Sequence, residues 1–271
     1  MKEFHIVSTG VSLIINAQRK NVIESDIKIA DENKWKLLLE NPQTIEKLKD
    51  FIRQNPRQSC AELNTLLGVI EGKDYDNIEV YLFGTNTNSN ELARRAIESY
   101  LKEIGIKLYN PYEVSGYFSE AQFDEEDAKD EFEKGMVELL DRLISIANKK
   151  VNEGYYVYFN PTGGLKAHVI TCALAGFLLN CDIYYMNEEF NKVVFLPKLF
   201  YLPKGKEIEI LKTLSKEEVI SGEDAKSLFN KYNDELIRLE IYGLVDIERD
   251  KEVYRLRITS KGKFILRNLV F

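Results

Sequence analysis

Histidine is almost missing from this chain: His5 and His168 are the two in 271 residues. Two imidazoles are too few for a typical histidine-based metal site, and no metal is expected. His5 lies inside a strand-like run and reads as a packed residue. Cysteine is scarce too. Cys60, Cys172 and Cys181 lie far apart or in apolar contexts and form no C-x-x-C pair. They read as reduced core residues of a cytoplasmic protein. Long apolar runs are absent: the longest, residues 169–179, is too short to cross a bilayer. The first residues, Met1 to His5, hold no signal-peptide core and lead straight into a strand, so no membrane partner is expected. Positive charge is in deficit, 37 Lys and Arg against 44 Asp and Glu. A net charge of −7 argues against a general nucleic-acid binder.

Two nucleotide-binding signatures are also missing. No G-x-G-x-x-G follows a strand-like run, and the one Gly-Gly-Leu-Lys sequence continues with Ala167 and His168 where a Walker A loop needs Ser or Thr. An ordinary nucleotide triphosphatase or a nicotinamide enzyme is disfavoured, and no cofactor is expected.

What is present is an alternation of strands and helices. Apolar residues make up 44% of the chain and charged residues 30%, as in a soluble globular protein long enough for two domains. Strand-like runs fall at residues 3–8, 78–83, 106–108, 155–159, 182–186 and 193–196. Helical spacing covers 31–53, broken near Pro42, then 61–70, 91–103, 124–150 and 165–179. This order predicts an α/β fold, a Rossmann-like, doubly wound and mostly parallel sheet. Ligands of such sheets bind beyond the carboxyl ends of the strands.

The unusual residues gather at those ends. After the first run come Ser8, Thr9, Gly10, Val11, Ser12 and Leu13, with Asn16 further on. After the second come Gly84, Thr85, Asn86, Thr87, Asn88, Ser89 and Asn90, before a helix opening with Glu91. After the fourth come Asn160, Pro161, Thr162, Gly163, Gly164, Leu165 and Lys166. The last is a strand, a tight turn and a helix start, where free N–H groups, the helix dipole and a lysine all favour an anion. The same turn also serves as an ordinary strand-to-helix connection with Thr162 as cap. On spacing alone the two readings are evenly matched. Three polar loops converging on one face of the sheet favour a polar ligand.

The stretch 118–141 is rich in carboxylates: Glu120, Asp124, Glu125, Glu126, Asp127, Asp130, Glu131 and Glu133. It reads as the solvated face of a helix whose apolar side holds Phe132, Met136, Leu139, Leu140 and Leu143. Pro203, Lys204, Gly205 and Lys206 form a linker, which divides the chain into residues 1–203 and 204–271. Beyond it, three helical stretches, a hairpin around residues 249–252 and a last helix from Ser260 make a winged-helix pattern. Residues 205–271 carry 13 Lys or Arg and 13 Asp or Glu, a net of zero. A phosphate backbone meets little positive field there, so DNA binding by this domain is not expected.

Taken in order, the loop from Ser8 to Asn16, the segment Arg57-Gln58-Ser59-Cys60-Ala61-Glu62-Leu63-Asn64-Thr65-Leu66, the loop Gly84 to Thr87 and the turn Asn160 to Lys166 resemble the CARF (CRISPR-associated Rossmann fold) proteins of type III CRISPR systems. The resemblance is to members with a C-terminal winged-helix domain, some of which are ring nucleases. Cys60 stands where a small serine-like residue is expected, and Asn86 where an aspartate is frequent. The resemblance implies a homodimer that binds one cyclic oligoadenylate, a four-adenylate ring, on its two-fold axis. Implied ligand contacts are Thr9, Gly10, Val11, Leu13, Asn16, Glu62, Asn64, Gly84, Thr85, Asn86, Thr87 and residues Asn160 to Leu165. Implied catalysis is metal-independent attack of a ribose 2′-hydroxyl on the adjacent phosphate, leaving a 2′,3′-cyclic phosphate. Lys166 would stabilise charge, and Ser12 or Ser8 would orient the hydroxyl. No other acid or base is evident near those loops. Three readings stand: a ring nuclease, a non-catalytic sensor whose C-terminal domain regulates DNA or a partner protein, and a structural α/β dimer.

Overall fold

Every residue of the first strand, β1 (Glu3–Thr9), is buried. A strand covered on both faces belongs at the centre of a parallel sheet. The computed structural model, which describes residues 1–110, 116–117, 128–187, 192–196, 201, 203–217, 219–250 and 253–268, places it there. β2 (Ile78–Thr85) lies parallel on one side, in register from Glu3 opposite Ile78 to Thr9 opposite Gly84. β5 (Tyr156–Asn160) lies parallel on the other. β3 (Lys107–Leu108) and β4 (Gly116–Tyr117) both extend the β2 side. β6 (Asp182–Asn187) follows β5 in parallel, and β7 (Lys192–Leu196) closes that edge antiparallel. The order β3-β2-β1-β5-β6-β7 reverses direction between β1 and β5, which makes their carboxyl ends the switch point of the sheet. The fold is the α/β, Rossmann-like, mostly parallel sheet that the β/α alternation predicts.

Helices cover both faces. Along β1, Phe4 and Ile6 point to one side and Val7 to the other, the period-two alternation of a strand. Val7 joins the larger core with Trp35, Leu48, Leu63, Leu82 and Ile97. Phe4 and Ile6 join Phe83, Phe159, Ile183 and the buried Leu139 and Leu143. The helical pattern over 31–53 resolves into α2 (Glu32–Glu40) and α3 (Pro42–Gln54). The break has a local cause: Asn41 caps α3 through its side chain, and Pro42 occupies the first turn, where its missing N–H costs nothing. α5 (Ala61–Ile70) agrees with the predicted bounds. α6 (Asn88–Glu103) begins three residues earlier than expected because Thr87 caps it. α7 (Ala128–Asn152) and α8 (Lys166–Leu178) follow. Of the acidic stretch, residues 118–127 lie outside the described residues.

Two elements correct the sequence reading. Ser12–Arg19 is not loop but helix, α1. Its first turn carries Leu13 and Ile14 into the core. Pro56–Ser59 forms a further short helix, α4. Among the described residues no helix is long and apolar enough to cross a membrane.

The chain forms two compact units, Met1–Pro197 and Lys198–Phe271. The second contains α9 (Lys206–Glu217), β8 (Val219–Ser221), α10 (Gly222–Lys231), α11 (Asn233–Ile241), the hairpin β9 (Val245–Asp250) and β10 (Val253–Ile258), and α12 (Ser260–Asn268). Its sheet runs β8-β10-β9, all antiparallel. Leu211, Leu214, Leu236, Leu239 and Leu256 fill the core of this unit. Beside them the buried Glu207 carboxylate accepts from the Tyr201 hydroxyl, Arg238 Nε and Lys204 N.

One buried polar network crosses the sheet at the start of β1. His5 Nδ1 accepts from the Tyr184 hydroxyl at 2.8 Å, and Nε2 donates to Glu3 Oε2 at 3.2 Å. Lys73 Nζ donates to the same carboxylate at 2.8 Å, and the His5 ring stacks on Tyr158. Burial holds the His5 pKa below its ordinary value, although Glu3 pulls it up. Burial also raises the Glu3 carboxyl, but hydrogen bonds from His5 and Lys73 outweigh it and hold that group low. An unfolded histidine takes up its proton near pH 6.5, so below about that pH the unfolded chain binds a proton that the folded chain refuses. His5 therefore makes stability fall as pH drops from about 7 towards 5, and Glu3, whose unfolded carboxyl titrates near 4.5, adds its share only below about pH 5. Denaturant midpoints across that range should decrease on acidification, and less steeply in His5→Phe. Equal slopes in the two proteins would show that His5 contributes nothing to the effect.

Candidate functional site

At the switch point β1 and β5 part, and a cleft of about 790 Å³ opens between their carboxyl ends. One wall is Gly10, Val11 and Ser12, the passage from β1 into α1. The opposite wall is Thr162, Gly163, Gly164 and Leu165, the passage from β5 into α8. Thr85 and Thr87 close a third side beyond β2. Glu62, in the first turn of α5, stands behind the first wall.

The two main walls touch through main chain. A Cβ on Gly10 would lie 2.5 Å from Gly164 N, and one on Gly164 would lie 2.6 Å from Thr9 O. Gly164 also has φ +101°, a conformation that side chains disfavour. Two side chains reinforce the seam. Ser8 Oγ donates to Gly163 O at 2.5 Å, and Thr9 Oγ1 donates to Phe83 O at 2.9 Å. Both residues are fully buried. They staple β1 to the strand ends on either side.

Glu62 then locks two helix starts together. Its Oε1 accepts from Gly10 N and its Oε2 from Ser12 Oγ, both at 2.7 Å. Ser12 Oγ in turn accepts from Ala61 N at 3.2 Å. A carboxylate is favourable at both places, because each is the positive end of a helix. Cys60, which precedes α5, is buried beside this carboxylate. Burial first, then the Glu62 charge, pushes its thiol well above the ordinary range, so it remains a protonated thiol. Asn16 Nδ2 donates to Ser59 O at 3.0 Å and ties α1 to the same corner.

The cleft offers backbone donors. Val11 caps α1 and Leu165 caps α8, and neither supplies a side-chain cap bond. Both residues line the cleft. Uncapped first turns leave N–H groups able to meet an anion. The charged residues that line it are Glu32 and Glu62. The Glu32 carboxylate accepts from Asn88 N and Asn88 Nδ2, both at 2.8 Å.

The structure thus gathers Gly10, Val11, Ser12, Glu62, Thr85, Thr87, Thr162, Gly163, Gly164 and Leu165 around one cavity. Other candidates stand elsewhere. Ser8 and Thr9 lie in the seam, Leu13 in the core, and Asn64 accepts from Arg57 Nε. Gly84 packs against Asn90 and Thr9. Asn160 is buried and accepts from the Thr162 hydroxyl, Pro161 is buried beside it, and Asn86 is exposed. Lys166 is the first residue of α8 and is exposed, one position past the cleft wall. Beyond Lys166 and the two serines, sequence reasoning saw no acid or base by these loops and took Glu62 only as a ligand contact; its carboxylate is buried among them. It also missed Ile15, Ile29, Ala30, Glu32 and Ala61 as cleft residues. Ser89 and Asn90, the end of the polar loop marked after the second strand, also line the cleft.

Gly164→Ala tests the seam. The left-handed conformation alone should cost of order 2 kcal/mol, and the contact with Thr9 O adds to it. A denaturation midpoint equal to that of the parent would show that the two walls yield freely.

A comparison with protein families bears on what this cleft serves. The sequence model of a CRISPR-associated protein family (Cas_APE2256) matches residues 57–199, more than half of the chain. The match spans α5, β2 and the β5–α8 turn, three of the elements that build the cleft. On the extent of that match, the chain belongs to the Cas_APE2256 family of CRISPR-associated proteins.

Proposed function

We propose that the cleft binds cyclic oligoadenylate, with cyclic tetra-adenylate as the ring, and that two copies of the chain share one ring across a two-fold axis. The observation that carries this reading is the pair of uncapped helix starts, α1 and α8, facing one cleft at the switch point of a CRISPR-associated α/β protein. Backbone N–H groups there suit phosphates, and the hydroxyls of Ser12, Thr85, Thr87 and Thr162 suit ribose and base edges. A ring with rotational symmetry meets the same loops from both protomers. In a type III CRISPR response the ring is the messenger, and the protein ends the signal by cleaving it.

Cleavage needs no metal in this proposal. A ribose 2′-oxygen attacks the adjacent phosphorus and gives its proton to solvent, the 5′-oxygen leaves and takes a proton from solvent, and a 2′,3′-cyclic phosphate remains. Ser12 orients the attacking hydroxyl. Lys166, at the edge of the cleft, meets the charge that grows on the non-bridging oxygens. Ser8 holds the turn through Gly163 O and leaves the ligand to Ser12. The second unit, read as a winged helix, is an assembly element. Three of its arginines are paired, Arg238 with Glu207, Arg249 with Glu240 and Arg257 with Asp246, and residues 205–271 carry no net charge. That arrangement leaves little positive field for DNA.

A non-catalytic sensor is the alternative. The observation that favours it is that the charged residues lining the cleft are carboxylates, with Lys166 outside the lining.

Incubation of the protein with cyclic tetra-adenylate in EDTA, followed by chromatography, separates the two readings. Linear products ending in a cyclic phosphate are expected, and an intact ring would leave the sensor. Calorimetry should give one ring per two chains. One ring per chain, or no binding at micromolar protein, would refute the shared site. Lys166→Ala should lose about a hundredfold or more in cleavage rate while still binding the ring. Cleavage at the parental rate would remove Lys166 from the mechanism.

A further inference from the structure

We infer that Glu62 sets the polarity of Ser12, so that the cleft wall reads a donor on the ligand and selects a free ribose 2′-hydroxyl. The inference rests on the reading of the cleft as a ribonucleotide site.

A serine hydroxyl has one proton and two acceptor positions. The Ser12 proton goes to Glu62 Oε2 at 2.7 Å. One acceptor position takes Ala61 N–H at 3.2 Å. Ser12 lines the cleft, so what it still offers there is one lone pair. A group that binds at this point has to donate. The 2′-hydroxyl of a ribose does so. A phosphate oxygen, a deoxyribose carbon or a 2′-fluorine does not.

Glu62 is 1% exposed and stands behind Ser12. It acts through Ser12 and is a positioning residue. Its geometry fixes the direction of the chain of hydrogen bonds. Oε1 is held by Gly10 N–H at 2.7 Å, so Oε2 is the oxygen that faces Ser12. A carboxylate oxygen accepts, and the hydroxyl proton turns away from the cleft.

An amide of the same shape reverses this. In Glu62→Gln, Gly10 N–H still demands an oxygen, so the amide oxygen stays with Gly10 and the NH2 group meets Ser12. The hydroxyl then accepts from both that amide and Ala61. Its proton swings towards the cleft, and Ser12 becomes a donor.

The test uses the full chain in EDTA with Lys166→Ala as the common background, here the parent, because it binds the ring with cleavage slowed; cyclic tetra-adenylate and its fully 2′-fluoro counterpart are the probes. Affinities are read by calorimetry, and chromatography after each titration checks that the ring is intact. The parent should prefer the hydroxyl ring by about tenfold, the size of one hydrogen bond to a buried partner. In Glu62→Gln the preference should fall to about one or invert. In Ser12→Ala it should fall to about one. A purely structural role of Glu62 would weaken both rings equally and keep the ratio, and that result overturns the inference. A parental ratio in Ser12→Ala overturns it too, and decides the matter if Glu62→Gln does not fold. If the parent binds neither ring, the cleft is not a ribonucleotide site, and the proposed function fails along with this inference.

Discussion

Where β1 and β5 part, two stretches of main chain meet with no side chain between them. Gly10 and Gly164 leave room for that contact, and the hydroxyls of Ser8 and Thr9 fasten it from behind. The position of both helix starts follows from it. α1 begins two residues after Gly10 and α8 two residues after Gly164, so neither can move without the seam moving. The sheet order supplies the crevice, and the seam sets the distance between its two rows of backbone donors.

A carboxylate between two helix starts looks paradoxical until its partners are counted. Glu62 takes the Gly10 N–H and the Ser12 hydroxyl, donors that a phosphate would otherwise claim. It stabilises this corner, since a buried N–H without a partner costs about 1–3 kcal/mol. It also divides the cleft by chemical type. On the inference drawn above, the Gly10–Ser12 wall would read donors, while the remaining N–H groups at the helix starts would suit anions. A ribose and a phosphate differ in the same way.

The sheet was legible in the sequence, and the reasons lie in particular residues. β1 is an unbroken buried run, and α5 shows apolar residues at helical spacing from Leu63 to Ile70. α1 was not legible. Its start, Val11, supplies no side-chain cap, and Ile14-Ile15 resembles a strand more than a first turn. β8 is three residues long and exists only because β10 pairs with it. The candidate loops were recognisable, but not the division of labour within them. Ser8 and Ser12 are the same residue type four positions apart, one buried in the seam and the other facing the cleft. Glu32 reaches the cleft only through tertiary folding, with no local motif to mark it.

Gly164 carries a consequence at the level of the gene. Every amino acid that one nucleotide change can put in place of glycine has a Cβ. At this position that atom would meet the Thr9 carbonyl, on a backbone with φ +101°. No single-step substitution is therefore neutral here, and the codon can drift only through its silent third base. Selection on this one position acts on the fold and the cleft together, because the same atom would disturb both.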